Sequence, residues 1–214
     1  MKNFVITILD NERSVQVADR CIKTASDHGM EVTHFPAITP KHDIEALLRQ
    51  EGIDPKHFVE QYSRHDNCVA AFLSHYSLWK QCAASGEEFT IFEHDAVVVA
   101  PIPEFIPYQQ VINLGKPSYG KYNTPRLLGV NQLSSKMYFP GAHAYRLKPA
   151  GARALIAVAQ LRAAPTDVFL HLDTFPFLEE YYPWPVEAND SFTTIQKPNG
   201  CLAKHNYNET YEII

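Results

Sequence analysis

The sequence predicts an α/β domain built on a mostly parallel sheet with helices on both faces. Three observations carry that expectation. Residues 4–9, Phe-Val-Ile-Thr-Ile-Leu, form a short apolar run of the kind buried on both sides of a sheet. Val15, Ala18, Ile22 and Ala25 then recur every three or four residues, which is one stripe of a helix. Residues 32–35 read as a second strand, stopped by Pro36. Strand, helix and strand in succession make a βαβ unit, whose crossover is right-handed in nearly all cases and leaves the strands parallel.

Ser14 is the expected N-cap of the first helix, and Gly29 the left-handed residue beyond its end. Between residues 41 and 65 the pattern weakens. Asp43 can cap a short helix through Leu48, while Gly52 and Pro55 interrupt the segment beyond it. A long helix is expected from Asn67, with Val69, Phe72, Leu73, Tyr76, Trp79 and Ala83 on one face and Gly86 as its stop. Residues 89–92 read as a strand that ends in Glu93-His94-Asp95. Residues 111–114 and 137–147 are further strand candidates, and Pro149 suits the first turn of a helix carrying Ala152, Leu155, Ile156 and Ala159. From Asp173 onward aromatic residues and prolines accumulate. The chain therefore reads as one domain, residues 1–214, with residues 174–214 a C-terminal segment packed on the sheet.

Composition excludes several classes. With 214 residues and 45% hydrophobic side chains, the chain can bury a real core and is not a disordered tail. It has 19 Lys and Arg against 24 Asp and Glu, a net charge of −5, and no basic cluster. Phosphate backbones need such a cluster, so no nucleic-acid partner is expected. No apolar stretch approaches the ~20 residues that span a bilayer, so no transmembrane segment is expected. The N-terminal run is closed early by Asp10, unlike a signal peptide. Four cysteines without CxxC spacing point to reduced, buried thiols and a cytoplasmic location.

The strongest chemical feature is Glu93-His94-Asp95 directly after an apolar strand. Ligands of open α/β sheets bind outside the carboxyl ends of strands. Two carboxylates one residue apart can there bind a divalent cation, which would neutralise a departing diphosphate. The alternative is a polar strand exit whose charges meet only water. His205, in Ala203-Lys204-His205-Asn206, is a candidate third ligand, with tail solvation as its other reading.

The stretch Ala71-Phe72-Leu73-Ser74-His75-Tyr76-Ser77-Leu78-Trp79-Lys80, followed by Phe89-Thr90-Ile91-Phe92-Glu93-His94-Asp95, resembles glycosyltransferase family 25. That family includes lipopolysaccharide and collagen galactosyltransferases. Its hallmark is a helix reading roughly C-F-x-S-H-x-x-x-W-K, then a strand ending in E-D-D. Val5 to Leu9 resembles its opening I-x-L, and His34-Phe35-Pro36-Ala37 its F-x-A. Gly141-Ala142-His143-Ala144-Tyr145 is similar to its G-T-x-x-Y, Pro165-Thr166-Asp167 to its P-V-D, and Thr194-Ile195-Gln196 to its C-terminal motif. Three positions depart from the pattern: His94 replaces the middle Asp, Ala71 the Cys, and Ala142 the Thr.

The resemblance implies a GT-A-like fold and an inverting transfer of a hexose, galactose or glucose, from a UDP-sugar to a hydroxyl of a saccharide or glycoconjugate. It further implies Mn²⁺ or Mg²⁺ held by Glu93 and Asp95, with Asp167 as the base and Asp173 in reserve. Thr7, Ile8, Ala37, Ser74, His75 and His143 become the expected substrate contacts. His75 also suits a structural role, and Asp167 a helix N-terminus. Arg13 and Arg20 could meet a diphosphate or be helix-surface charge. Two other classes remain: a nucleotide-sugar or glycan-binding module that has lost catalysis, suggested by His94, and a metal-dependent phosphohydrolase, suggested by ten histidines. Those histidines are scattered, without an H-x-H cluster.

Overall fold

Residues 1–60, 63–189 and 192–196, with the backbone of 212–213, are described by a computed structural model. The elements run β1 (Lys2–Thr7), α1 (Glu12–Asp27), β2 (Thr33–Pro36), α2 (Ile44–Gln50), a 3-10 turn (Pro55–His57), α3 (His65–Ser85), β3 (Phe89–Glu93) and β4 (Ala96–Val98). They continue with β5 (Val111–Asn113), β6 (Gly129–Gln132), β7 (Ala144–Leu147), α4 (Pro149–Ala159), α5 (Thr166–Phe169), β8 (Leu178–Tyr182), β9 (Val186–Ala188), β10 (Phe192–Thr193) and β11 (Glu212–Ile213).

The opening βαβ unit forms as expected, with β1 parallel to both β2 and β3. The central seven-stranded sheet has the order β2-β1-β3-β7-β5-β8-β6. Five strands point one way, and β7 and β6 run against them. The sheet is thus mostly parallel in strand direction, as expected, and mixed through β7 and β6. Residues 178–182, read from sequence as packing on the sheet, instead enter it as β8 between β5 and β6. Of the candidate strand 137–147 only β7 forms, because the chain turns at Gly141. Among the described residues, no helix is long and apolar enough to cross a membrane.

Helix ends show why the sequence signals worked or shifted. Asn11, not Ser14, caps α1: its Oδ1 accepts from the backbone N–H of Arg13 at 3.1 Å and of Ser14 at 3.2 Å. At the other end Gly29 has φ +79, with Gly29 N–H bonded to Ser26 O and Met30 N–H to Ala25 O. That pair of bonds is a Schellman motif. Asp43 caps α2 through Ala46 N–H at 3.0 Å, as expected. Helix α3 begins two residues before Asn67 and ends at left-handed Gly86.

Alternation along the strands builds two cores. Val5, Phe92, Ile112 and Ala144 face α1, whose Ala18, Cys21 and Ala25 are fully buried. Ile91, Val111, Tyr145 and Leu147 face α3 and α4. There Trp79 stacks on Phe169 at 5.5 Å and meets Phe72 edge-on at 5.6 Å. Each such ring contributes about 1.5–3 kcal/mol by leaving water. Cys21, Cys68 and Cys82 are buried free thiols, as expected.

Gly141 carries a conformational demand that a side chain cannot meet. Its φ is +91, and an added Cβ would fall on Ser118 Oγ. Gly141→Ala should therefore combine left-handed strain with overpacking and destabilise the protein by about 2–4 kcal/mol. Denaturant unfolding at constant m checks this; a loss below about 1 kcal/mol would mean that the turn relaxes freely.

Candidate active site

Because β1, β2 and β3 are parallel, their carboxyl ends open on one side, and there lies a cavity of about 1350 Å³. Ile8, Asp10 and Asn11 line it after β1, residues 37–41 after β2, and Glu93, the last residue of β3, with His94 and Asp95 beyond it. Ser74 and His75 of α3 contribute another wall, and Tyr119, Lys121, Lys136, Tyr138 and Asp167 a third.

Two buried serines hold the loops at the strand ends. Ser14 Oγ accepts from Ile8 N–H at 2.9 Å and lies 2.7 Å from His94 Nδ1. It thereby ties the exit of β1 to that of β3. Ser74 Oγ accepts from Ile38 N–H at 2.9 Å, fixing the exit of β2 to α3. Ala37 N–H bonds Thr7 O at 2.9 Å, so Thr7 acts through its backbone while its side chain turns to Val5 O and His34.

His75 orients Glu93. Trp79 Nε1–H, which can only donate, bonds Tyr145 Oη at 2.7 Å. The Tyr145 hydroxyl then has its proton for His75 Nδ1, 2.9 Å away. The imidazole proton is left on Nε2, directed at Glu93 Oε1 at 3.2 Å. Complete burial pushes the His75 pKa down to about 3, so this contact is a neutral donor on a carboxylate rather than an ion pair.

Asp95 differs from Glu93. Its backbone O accepts from Arg20 at 3.3 Å and from Asn189 N–H at 3.1 Å, which fixes the turn. Its side-chain Oδ1 is buried without a hydrogen-bond partner among the described residues. An orphaned anionic oxygen is costly unless a cation or donor reaches it. Among the described residues no group of three or more His, Cys, Asp or Glu is placed to hold a metal ion. Glu93 and Asp95 are nevertheless a hard-oxygen pair of the kind Mn²⁺ or Mg²⁺ takes alongside water and phosphate oxygens, and the orphaned Oδ1 fits that use. His94 sits edge-on to Phe192 at 5.6 Å, its pKa lowered by burial. Arg20 serves the turn, and Arg13 lies over Phe192 at 4.7 Å.

Asp167 stands in the first turn of α5. Its Oδ2 accepts from the Tyr119 hydroxyl and its Oδ1 from Val168 N–H at 2.9 Å. Burial, and to a smaller extent the charge of Glu60, push its pKa up, while those two donors oppose the rise. A carboxylate moved toward neutrality is a better proton acceptor.

The cavity thus gathers Ile8, Ala37, Ser74, His75, Glu93, Asp95 and Asp167. Thr7 and His143 lie outside its lining; the His143 ring is buried against Gly115 and donates from Nδ1 to Gly141 O at 2.7 Å. Asp173 is exposed, pairs with His171 at 3.6 Å and does not line the cavity. His205 and Cys201 lie outside the described residues. Glu60, Tyr119 and Lys136 were not singled out from sequence, because they fall in or beside segments without a regular pattern.

A cavity at the carboxyl ends of parallel strands, walled by carboxylates, is where an α/β enzyme binds its substrate. The family model of glycosyltransferase family 25 (LPS biosynthesis protein) matches residues 1–108, half of the chain, and the protein belongs to that family. It is a glycosyltransferase, acting on a sugar donor and an acceptor. The match takes in both α3 and the Glu93-His94-Asp95 turn; Asp167 lies beyond it. No curated protein matches the chain.

Burial lowers the pKa of His75, His94 and His143 alike. A histidine buried neutral stabilises the fold above the unfolded value near 6.5, and that contribution is lost as pH falls below it, by up to about 1.4 kcal/mol per pH unit for one proton. Asp167, with its raised pKa, acts in the opposite sense at lower pH, favouring the fold below about 3.8 and losing that contribution as pH rises through its folded value. Unfolding free energy should therefore decline from pH 6.5 to 5, and His75→Gln should flatten the decline by one proton's share. Equal slopes in the two proteins would show that His75 takes up its proton in the folded state.

Proposed function

We propose that the protein transfers a hexose, galactose or glucose, from a UDP-sugar to a saccharide hydroxyl with inversion, on a GT-A-like fold. The observation that carries this reading is the meeting, on one cavity, of the strand-end carboxylates Glu93 and Asp95 with the base candidate Asp167. The family's role in LPS biosynthesis makes a lipopolysaccharide saccharide the first acceptor to test.

In this reading the donor's diphosphate lies toward Glu93 and Asp95, and the acceptor hydroxyl toward Asp167. Asp167 takes the hydroxyl proton as that oxygen bonds to C1 of the sugar. The bond from C1 to the diphosphate oxygen breaks, and UDP leaves with the electron pair. Tyr119 and Val168 N–H hold the carboxylate in place while leaving lone pairs free for the proton. His75 keeps Glu93 turned to the diphosphate side. A divalent cation, Mn²⁺ or Mg²⁺, held by Glu93 and Asp95 would neutralise charge on the departing diphosphate.

The test is incubation of UDP-galactose or UDP-glucose with Mn²⁺ and a panel of saccharides. A glycosylated product supports the reading; phosphate release without acceptor would point to a hydrolase, and binding without turnover to a carbohydrate-binding module. Asp95→Ala should abolish transfer without lowering the melting temperature, since the orphaned carboxylate oxygen adds no favourable contact to the fold. More than a tenth of wild-type turnover, with normal metal dependence, would remove Asp95 from the mechanism. Asp167→Asn should lower kcat by about 10²–10⁴-fold with little change in UDP-sugar affinity. An unchanged rate at saturating acceptor would place the base elsewhere.

A further inference from the structure

Among the described residues, three lysines line the cavity: Lys41, Lys121 and Lys136. Lys41 is paired with Asp10. Among the described residues, Lys121 and Lys136 have no Asp or Glu within ion-pair distance. Lys136 is nonetheless held in place. Its Nζ lies 4.8 Å from the centre of the Tyr119 ring and 5.2 Å from that of Tyr138, and donates to Tyr138 Oη at 3.3 Å. An ammonium carries three donor hydrogens, and Tyr138 Oη takes one. The aromatic faces partly compensate its lost hydration but leave the positive charge in place.

Gly120 lets the ammonium pack close to the backbone at this point of the wall. Its φ is +66, and a Cβ there would lie 2.8 Å from Lys136 Nζ. The location is equally specific. Tyr119, whose ring carries the ammonium, is the residue whose hydroxyl bonds Asp167. The cation therefore stands one aromatic ring away from the base, on the wall where the acceptor hydroxyl must lie, whereas Glu93 and Asp95 belong to the strand-end side.

We propose that Lys136, with Lys121 at the rim, forms an anion subsite for the acceptor, which carries a phosphate or carboxylate near the hydroxyl that is glycosylated. This rests on the reading of Asp167 as the base. The negative charge could otherwise come from the donor's diphosphate, and the experiment separates the two sources.

The experiment is a titration of the whole chain, with UDP saturating, using a neutral methyl hexoside, its 6-phosphate and the matching uronate, followed by NMR or calorimetry. Wild type should bind the two acidic sugars at least tenfold more tightly than the neutral one, with the advantage shrinking as salt rises. Lys136→Met should lose that advantage and Lys136→Arg should keep it, with UDP affinity unchanged in both. Absence of any acidic preference in wild type overturns the proposal, whatever the variants do. So does an equal loss for neutral and acidic sugars in Lys136→Met at an unchanged melting temperature. A fall in UDP affinity in place of the acidic-sugar effect would assign the cation to the donor and equally overturn it. Failure of the transferase reading looks different: acidic preference would persist while no acceptor is glycosylated.

Discussion

Trp79, Tyr145, His75 and Glu93 form one line of hydrogen bonds from the centre of the core to the floor of the cavity. It runs in one direction because its first member can only donate. Each donor thereby fixes the next, and the last points a proton at a carboxylate that faces the ligand space. The line exists because α3 is buried on most of its circumference, between the sheet and α4. On an exposed helix, water would compete for every member and the direction would be lost. Ser74, one residue from His75, leaves the helix at a different angle and holds the loop after β2. Adjacent serine and histidine thus serve two strand exits from one helix.

The same burial sets the electrostatics. Histidines at 75, 94 and 143 are kept neutral by desolvation, so they act as fixed donors and acceptors and not as charges. Besides the paired Asp10 and Lys41, the acidic and basic side chains that line the cavity among the described residues are Glu60, Glu93, Asp95 and Asp167 and the ammoniums of Lys121 and Lys136. Glu93 and Asp95 stand at the strand-end wall and Asp167 and Lys136 on another, so charged groups meet the cavity from more than one side. Asp95 Oδ1, which faces no hydrogen-bond donor among the described residues, is a point on the cavity wall at which the protein's own hydrogen bonding stops short.

Local signals in the sequence succeeded where one rule was decisive. The apolar stripe of α1, the left-handed Gly29 and Gly86, and the Asp43 cap each depend on residues a few positions apart. Ser14 misled because it has the chemistry of a cap, yet Asn11 accepts the helix N–H groups and leaves Ser14 for the strand exits. β8 was missed because Glu179 and Glu180 break its apolar pattern. Both are buried, with Glu180 accepting from Ser134 and Ser135 N–H at 2.7 and 2.8 Å. Paired in that way, a carboxylate can sit inside a sheet, and no period in the sequence announces it.

By itself the sequence determined the βαβ opening, the long buried helix and the carboxylates at the end of β3, since each rests on short-range periodicity or on a motif of adjacent residues. The Ser-His-Trp motif with Glu93-His94-Asp95 was enough to mark the family. Only the tertiary structure decided that His75 serves Glu93, that His143 turns away beneath Gly115, and that Tyr119 and Lys136 join Asp167. Those contacts join residues tens of positions apart. They depend on which sheet positions β7 and β8 take, and pairing between distant strands is set by the packing of the whole core rather than by any local pattern.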